Sequence, residues 1–297
     1  MSGSPRAILL ATDLSARCDR ALDRAVLLAR EWKARLVAVT VVDPAAAFVA
    51  RELVAAPAWP QRIDPVDAAR RRLQADIDAD DVDLVVRVED GHPGEILLRA
   101  AREFDCGLVV TGIARNETLG RRMLGSTVDW LVRHAAPPVL VVRNRARGPY
   151  ADLLAASDLS LSAREALALG TRLFPGGRLT VLNAVEVPML GLRQDAEAAV
   201  ERARSEALLA ARAELEAARV PAAQRAAARL VAEPGDPARL LQAYVRDHGS
   251  DLVLLATHGR GALFDLVIGS TARRILDAVE TDVLVVRDPR AQPAIAG

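Results

Sequence analysis

The stretch Thr257 to Thr271, THGRGALFDLVIGST, holds the residues best suited to chemistry. Gly259, Gly261 and Gly269 would let a ligand come close to the backbone, and Ser270 and Thr271 add hydroxyl donors. An apolar run, Leu252 to Ala256, precedes the stretch and is short enough for a fully buried strand. Ala272, Ile275, Leu276 and Val279 follow at i, i+3, i+4 and i+7, which is one face of a helix. A strand, a glycine-bearing loop and a helix start together turn backbone N–H groups toward a phosphate. Taken alone, the same residues would serve equally well as an ordinary strand-to-helix connection.

Repetition favours the phosphate-binding reading. Gly125-Ser126-Thr127 stands 144 residues before Gly269-Ser270-Thr271, and Val139 to Arg143 (VLVVR) precedes Val283 to Arg287 (VLVVR) by the same spacing. Thr12-Asp13-Leu14-Ser15 precedes Ser157-Asp158-Leu159-Ser160 by 145 residues. Three matches near a common offset mean a duplicated domain, since so long a period is not a solenoid unit. The halves are assigned to residues 1–146 and 147–297, with Asn144 to Pro149 (NRARGP) as a solvated connector.

A chain of 297 residues accommodates two such domains, each long enough for its own core. About half of the residues are hydrophobic and only 3% are aromatic, so the cores are built from small and branched aliphatics. The 39 basic and 39 acidic residues cancel, which gives no pull toward nucleic acid or anionic membrane. Cys18 and Cys106 are too few for a disulfide framework, and no secretory or membrane-spanning run is read. A cytoplasmic location is expected.

Lys33 is the only lysine, and it lies near the end of a predicted helix, far from every glycine loop. Walker-type ATPases, kinases and Schiff-base enzymes all need a placed lysine, so those chemistries are excluded. A phosphotransfer receiver would want an acidic cluster and a lysine after the fifth strand, where Arg143 and Arg287 stand. The four histidines show no metal-ligand spacing, and no Ser-His-Asp set can be assembled. No catalytic residue and no side-chain metal site are assigned; weak hydrolysis of a bound nucleotide is left open.

The elements that must position these residues alternate. Strands are predicted at 7–12, 36–42, 84–88, 108–111 and 139–142, then at 153–157, 179–185, 228–232, 252–256 and 283–286. Helices are predicted from Asp13 or Ser15 to about Lys33, over 67–78, from Pro93, and through Val128 to Ala135. In the second half they fall at 162–173, 195–219, 237–248 and 271–279, with Ser162 and Glu165 as a capping box. Alternation implies an α/β fold with parallel sheets and helices on both faces. Ligands of such folds bind at the strand carboxyl ends, where Asp13, Asp158 and both glycine loops lie. Asp13 and Asp158 could equally be helix caps.

These residues resemble the universal stress protein family, over nearly all of both halves. The family fingerprint is Gly, two residues, Gly, nine residues, then Gly-Ser or Gly-Thr, with an Asp after the first strand and a closing strand like Val139–Arg143. The resemblance implies two tandem open, doubly wound parallel-sheet domains, five strands each in the order 3-2-1-4-5, forming an intramolecular pseudo-dimer. A homodimer and unidentified protein partners are left open. It also implies adenine nucleotide, ATP or a relative, with Mg²⁺ as companion. In the first half Arg115 takes the second glycine position after Gly112; in the second, Ala256 takes the first, while Gly259 and Gly269-Ser270 match. The C-terminal half is therefore favoured, with Ala156, Ser157, Asp158, Ala184, Gly259, Arg260, Gly269, Ser270 and Thr271 as nucleotide-binding residues. Their first-half counterparts are Ala11, Thr12, Asp13, Val41, Gly112, Arg115, Gly125, Ser126 and Thr127. The competing expectation is a nucleotide-free adaptor of the same fold.

Overall fold

A computed structural model of the chain describes residues 3–16, 18–42, 64–77, 79–113, 125–187, 195–258 and 268–287. The chain divides into an N-terminal unit, residues 4–149, and a C-terminal unit, residues 150–297 together with 1–3.

In the N-terminal unit the order is β1 (Ala7–Thr12), α1 (Asp19–Trp32), β2 (Arg35–Val42), α2 (Pro65–Asp76), β3 (Leu84–Asp90), α3 (Pro93–Glu103), β4 (Leu108–Gly112), α4 (Ser126–His134) and β5 (Val139–Val142). All strands pair in parallel, in the order β3-β2-β1-β4-β5. The C-terminal unit repeats this with β6 (Asp152–Ser157), α5 (Leu161–Leu173), β7 (Arg178–Val185), α6 (Ala196–Ala217), α7 (Ala222–Ala226), β8 (Arg229–Pro234), α8 (Pro237–His248), β9 (Leu252–Ala256), α9 (Ser270–Ala278) and β10 (Asp282–Val286). Its order is β8-β7-β6-β9-β10, the same 3-2-1-4-5 arrangement. The expected fold is therefore the one observed.

Central strands read as unbroken apolar runs because helices cover both faces of a parallel sheet. Ile8, Leu9 and Leu10 of β1, Leu108 to Val110 of β4 and Leu252 to Leu254 of β9 are wholly buried. The helices meet the sheets through small residues: Ala21, Ala25 and Ala29 on α1, and Ala199, Ala207 and Ala211 on α6. Short side chains let a helix backbone sit close to the sheet, which explains why so aliphatic a composition makes a dense core.

Three local expectations need correction. Helix α1 starts at Asp19, six residues beyond Asp13, because Asp13 and Ser15 are engaged in a turn of their own. Helix α5 is capped by Ser160, whose Oγ accepts from Ala163 N at 3.1 Å, so Ser162 lies inside the first turn. The short α7 was not anticipated; Pro221 starts it, and Gln224 anchors it by donating to the carbonyls of Phe174 and Gly177 at 3.2 and 2.7 Å. Lys33, the single lysine, is the left-handed C-cap of α1 with φ 52°. The connector is also held at Gly148, whose carbonyl accepts from Arg24 of α1 at 2.7 Å, and just before it the Arg143 carbonyl accepts from Arg20 of α1 at 2.5 Å. No described helix is long and apolar enough to cross a membrane.

In the C-terminal unit, Tyr150 donates its hydroxyl to Asp282 Oδ2 at 2.6 Å, deep in the core, and Asp282 has no exposed surface. Replacing Tyr150 with Phe keeps the ring and removes a donor from a buried carboxylate. The expected cost is about 1–3 kcal/mol, seen as faster hydrogen exchange of the β10 amides around Asp282. Unchanged exchange would mean this hydrogen bond adds nothing to stability.

Candidate functional site

The turn after the first strand is built the same way in both units. In the C-terminal unit Leu159 N donates to Ser157 Oγ at 2.9 Å and Ser160 N donates to Asp158 Oδ1 at 3.0 Å. In the N-terminal unit Leu14 N donates to Thr12 Oγ1 at 3.1 Å and Ser15 N to Asp13 Oδ1 at 2.9 Å. Leu159 and Leu14 both adopt left-handed backbone, φ 63° and 58°, a strained conformation for leucine. Short hydroxyl and carboxylate side chains make that turn affordable by satisfying the N–H groups it exposes. A donor from the neighbouring strand braces each turn: Asn183 Nδ2 to the Ser157 carbonyl at 2.8 Å, Thr40 Oγ1 to the Thr12 carbonyl at 2.7 Å. Asp13 and Asp158 are thus turn-forming residues rather than helix caps.

The two turns differ in what else reaches them. Asp13 Oδ1 also receives the Ser15 hydroxyl at 2.5 Å and the Cys18 thiol at 3.1 Å. Burial pushes the Cys18 thiol up to about 11, and the negative charge of Asp13 adds to the shift. In the C-terminal unit it is Ser157 that is engaged, donating to Glu214 Oε2 of α6 at 2.7 Å. Glu214 is only 4% exposed, so the hydroxyl offsets part of the cost of burying a carboxylate. This pair ties α6 to the end of β6.

Beside that turn lies a cavity of about 910 Å³, at the carboxyl ends of β6, β7 and β9, where the strand order reverses. A volume of this order holds a small organic ligand. One end is formed by Ala184 at the end of β7, by Glu186 just after it, and by Ala203, Glu206, Ala207 and Ala210 of α6. The other is formed by Leu255 and Ala256 at the end of β9, by His258 just after it, and by Gly269, Ser270 and Thr271 at the start of α9. Ala156, Ser157, Asp158 and Leu159 lie between, and Pro237 and Leu241 of α8 close one wall. Charge is divided across it. The described lining includes three acids, Asp158, Glu186 and Glu206, while the α9 end carries N–H groups, two hydroxyls and an imidazole.

The wall at α8 and α9 is tied together by Asp236. Its carboxylate accepts from Arg239 N at 3.1 Å, capping α8, and from Arg274 of α9 at 2.5 Å. The Arg239 N–H, then the Arg274 guanidinium, hold this carboxyl below its ordinary range.

Seven of the nine residues expected in the C-terminal unit line this one cavity: Ala156, Ser157, Asp158, Ala184, Gly269, Ser270 and Thr271. Gly259 and Arg260 lie outside the described residues. In the N-terminal unit Ala11, Thr12 and Asp13 end β1, Val41 lies near the end of β2, and Gly112 ends β4. Gly125, Ser126 and Thr127 start α4, so these residues belong to the same sheet edge; Arg115 lies outside the described residues. Gly269 has φ −55°, which any residue can adopt. Its need for glycine is spatial: a Cβ there would stand 3.2 Å from the Thr257 carbonyl oxygen, which accepts the Gly269 N–H at 2.9 Å.

Sequence reasoning missed Glu214 and the alanine face of α6. An acid buried in the last turn of an Ala/Arg/Glu-rich helix carries no local signal, although its place on the Ala207–Ala211–Leu215 face would have exposed it.

The model of the universal stress protein family matches residues 5–143 and again 149–287, and the chain belongs to that family, with two of its domains in tandem. A functionally unknown protein from Pseudomonas aeruginosa PAO1 superposes with TM-score 0.69 at 20% identity, covering 98% of this chain and 95% of that one. A protein from Pseudomonas aeruginosa UCBPP-PA14 gives TM-score 0.68 at 20% identity, with 98% and 96% covered. A universal stress protein from Archaeoglobus fulgidus DSM 4304 gives 0.61 at 15% identity, with 97% and 99% covered. Likeness at these identities concerns the fold. Among curated proteins none matches.

Burial raises both thiols, Cys18 and Cys106, to about 11, so both are protonated at neutral pH and the nucleophilic thiolate emerges only in alkali. Alkylation followed peptide by peptide should keep rising about tenfold per pH unit through pH 10. A rate at Cys18 that levels off near pH 9 would contradict the burial and the Asp13 contact.

Proposed function

We propose that the C-terminal unit binds an adenine nucleotide, ATP or a close relative, as part of a stress response. The observation that carries the reading is the single cavity shared by the Asp158 turn and the start of α9, with Ala184 at its far end. The phosphates would lie over Gly269, Ser270 and Thr271, where the N–H groups of the first turn of α9, the two hydroxyls and the helix dipole favour an anion; the Gly269 N–H itself is taken by the Thr257 carbonyl. The nucleoside would lie along Ala156–Asp158, and the base against Ala184 and the small side chains of α6.

Alanines suit this role. Ala203, Ala207 and Ala210 leave room for a flat ring where larger residues would fill the space. Polyphosphate charge is a difficulty for a cavity with three lining acids, and Mg²⁺ carried by the nucleotide would offset it. Arg260 would add a further cation. Asp158, which the family resemblance sets against the nucleoside, would accept a hydrogen bond from the sugar. No residue is assigned a catalytic part, and the output of binding would be a change in what the protein contacts.

Calorimetric titration with ATP and Mg²⁺ tests the reading. Wild-type protein should bind, and Gly269→Val should abolish binding, since the new side chain crowds the Thr257 carbonyl and covers the N–H groups. Asp158→Ala should weaken binding by about 1–3 kcal/mol if one sugar hydrogen bond is lost. Identical heats from wild type and Gly269→Val at millimolar nucleotide would discard the proposal and leave a nucleotide-free adaptor.

A further inference from the structure

His258 lines the cavity, and the preceding reading gives it no role. It follows β9 by two positions and is only 8% exposed. Its Nδ1 is 2.9 Å from Thr257 Oγ1, and Thr257 is itself 1% exposed. Its Nε2 is buried and has no hydrogen-bond partner among the described residues. An imidazole nitrogen taken out of water without a partner costs free energy, and native interiors rarely leave one so. The ring lines the cavity at the end that also holds Gly269, Ser270 and Thr271.

We propose that His258 is a phosphate-contacting residue of this cavity, its Nε2–H donating to a phosphate oxygen of the bound ligand. The inference rests on the nucleotide reading above and adds to it the group that selects a phosphorylated ligand over the bare nucleoside. Thr257 sets the tautomer. When its hydroxyl donates to Nδ1, the ring proton sits on Nε2, which is the form a phosphate oxygen needs. The backbone holds the pair in place: Thr257 N donates to the Val286 carbonyl at 3.0 Å, and the Thr257 carbonyl accepts Gly269 N at 2.9 Å. Through the second bond, the imidazole and the start of α9 move as one piece. The C-terminal unit has no lysine of its own for this contact; the chain's single lysine caps α1 of the N-terminal unit. A buried imidazole donor in the same cavity as a helix N-terminus gives one phosphate two kinds of donor, which a turn of glycines alone would not.

The test compares adenosine, AMP and ATP with Mg²⁺ on wild type, His258→Ala, His258→Gln and Thr257→Val. For His258→Ala we expect AMP and ATP affinity to fall about tenfold or more, with adenosine affinity unchanged. His258→Gln keeps an N–H donor of similar reach and should recover part of the loss. Thr257→Val should lose several-fold for AMP and nothing for adenosine, because only the tautomer preference goes. Should a variant misfold, wild-type protein still decides: the imidazole ¹⁵N resonances of His258 should shift with AMP and stay put with adenosine. Equal losses for adenosine and AMP, or resonances indifferent to the phosphate, overturn the role of His258 while leaving the nucleotide site. Wild type that binds none of the three compounds overturns both.

Discussion

Every strand in each unit runs the same way, and this one constraint decides where anything can bind. Parallel pairing forces each connection to cross back over a face, so five carboxyl ends and their turns gather along one edge. At the reversal β6 lies between β7 and β9: the chain goes from β6 through α5 to β7 on one side, and α9 leads to β10 beyond β9 on the other. A crevice opens there for topological reasons, before any side chain is chosen. The left-handed residue after β6 then turns the chain away from the opening, and Ser157 and Asp158 satisfy the N–H groups that this turn exposes.

Duplication kept this framework and varied what bears on it. The turns at Asp13 and Asp158 share the same two internal hydrogen bonds and the same brace from the second strand. Yet a thiol reaches the acid in one unit, while in the other a buried glutamate reaches the preceding hydroxyl. The Glu214 contact anchors a 22-residue helix whose alanine face becomes one wall of the cavity. Losing that anchor would remove a hydrogen bond from a buried carboxylate, so the wall and the turn are coupled. The opposite wall depends in the same manner on Asp236, which caps α8 and binds Arg274 of α9.

Much of this was legible in the sequence, for physical reasons. Strands β5 and β9 and helix α8 have the predicted bounds, since short apolar runs and a proline-started amphipathic helix are strong local signals. The repeat gave the duplicated fold, and the matched Asp turns and Gly-Ser-Thr starts drew attention to residues that do share a cavity. What stayed hidden was set by distance in sequence. Glu214 meets Ser157 across 57 positions, and the helix start near Asp13 was misjudged because a carboxylate that forms a turn looks locally like one that caps a helix. Small residues are also ambiguous: the alanines of α6 read as helix propensity, and only packing reveals them as space for a ligand.

The central claim is that an adenine compound occupies the cavity between the Asp158 turn and the start of α9. Photo-crosslinking of the intact chain with 8-azido-ATP, followed by mapping of the labelled peptide, addresses it most directly. The account predicts label on peptides of the C-terminal unit that line the cavity, chiefly around Ala184 and α6, and loss of that label when ATP competes. Label confined to the N-terminal unit, or label that ATP does not displace, would contradict it.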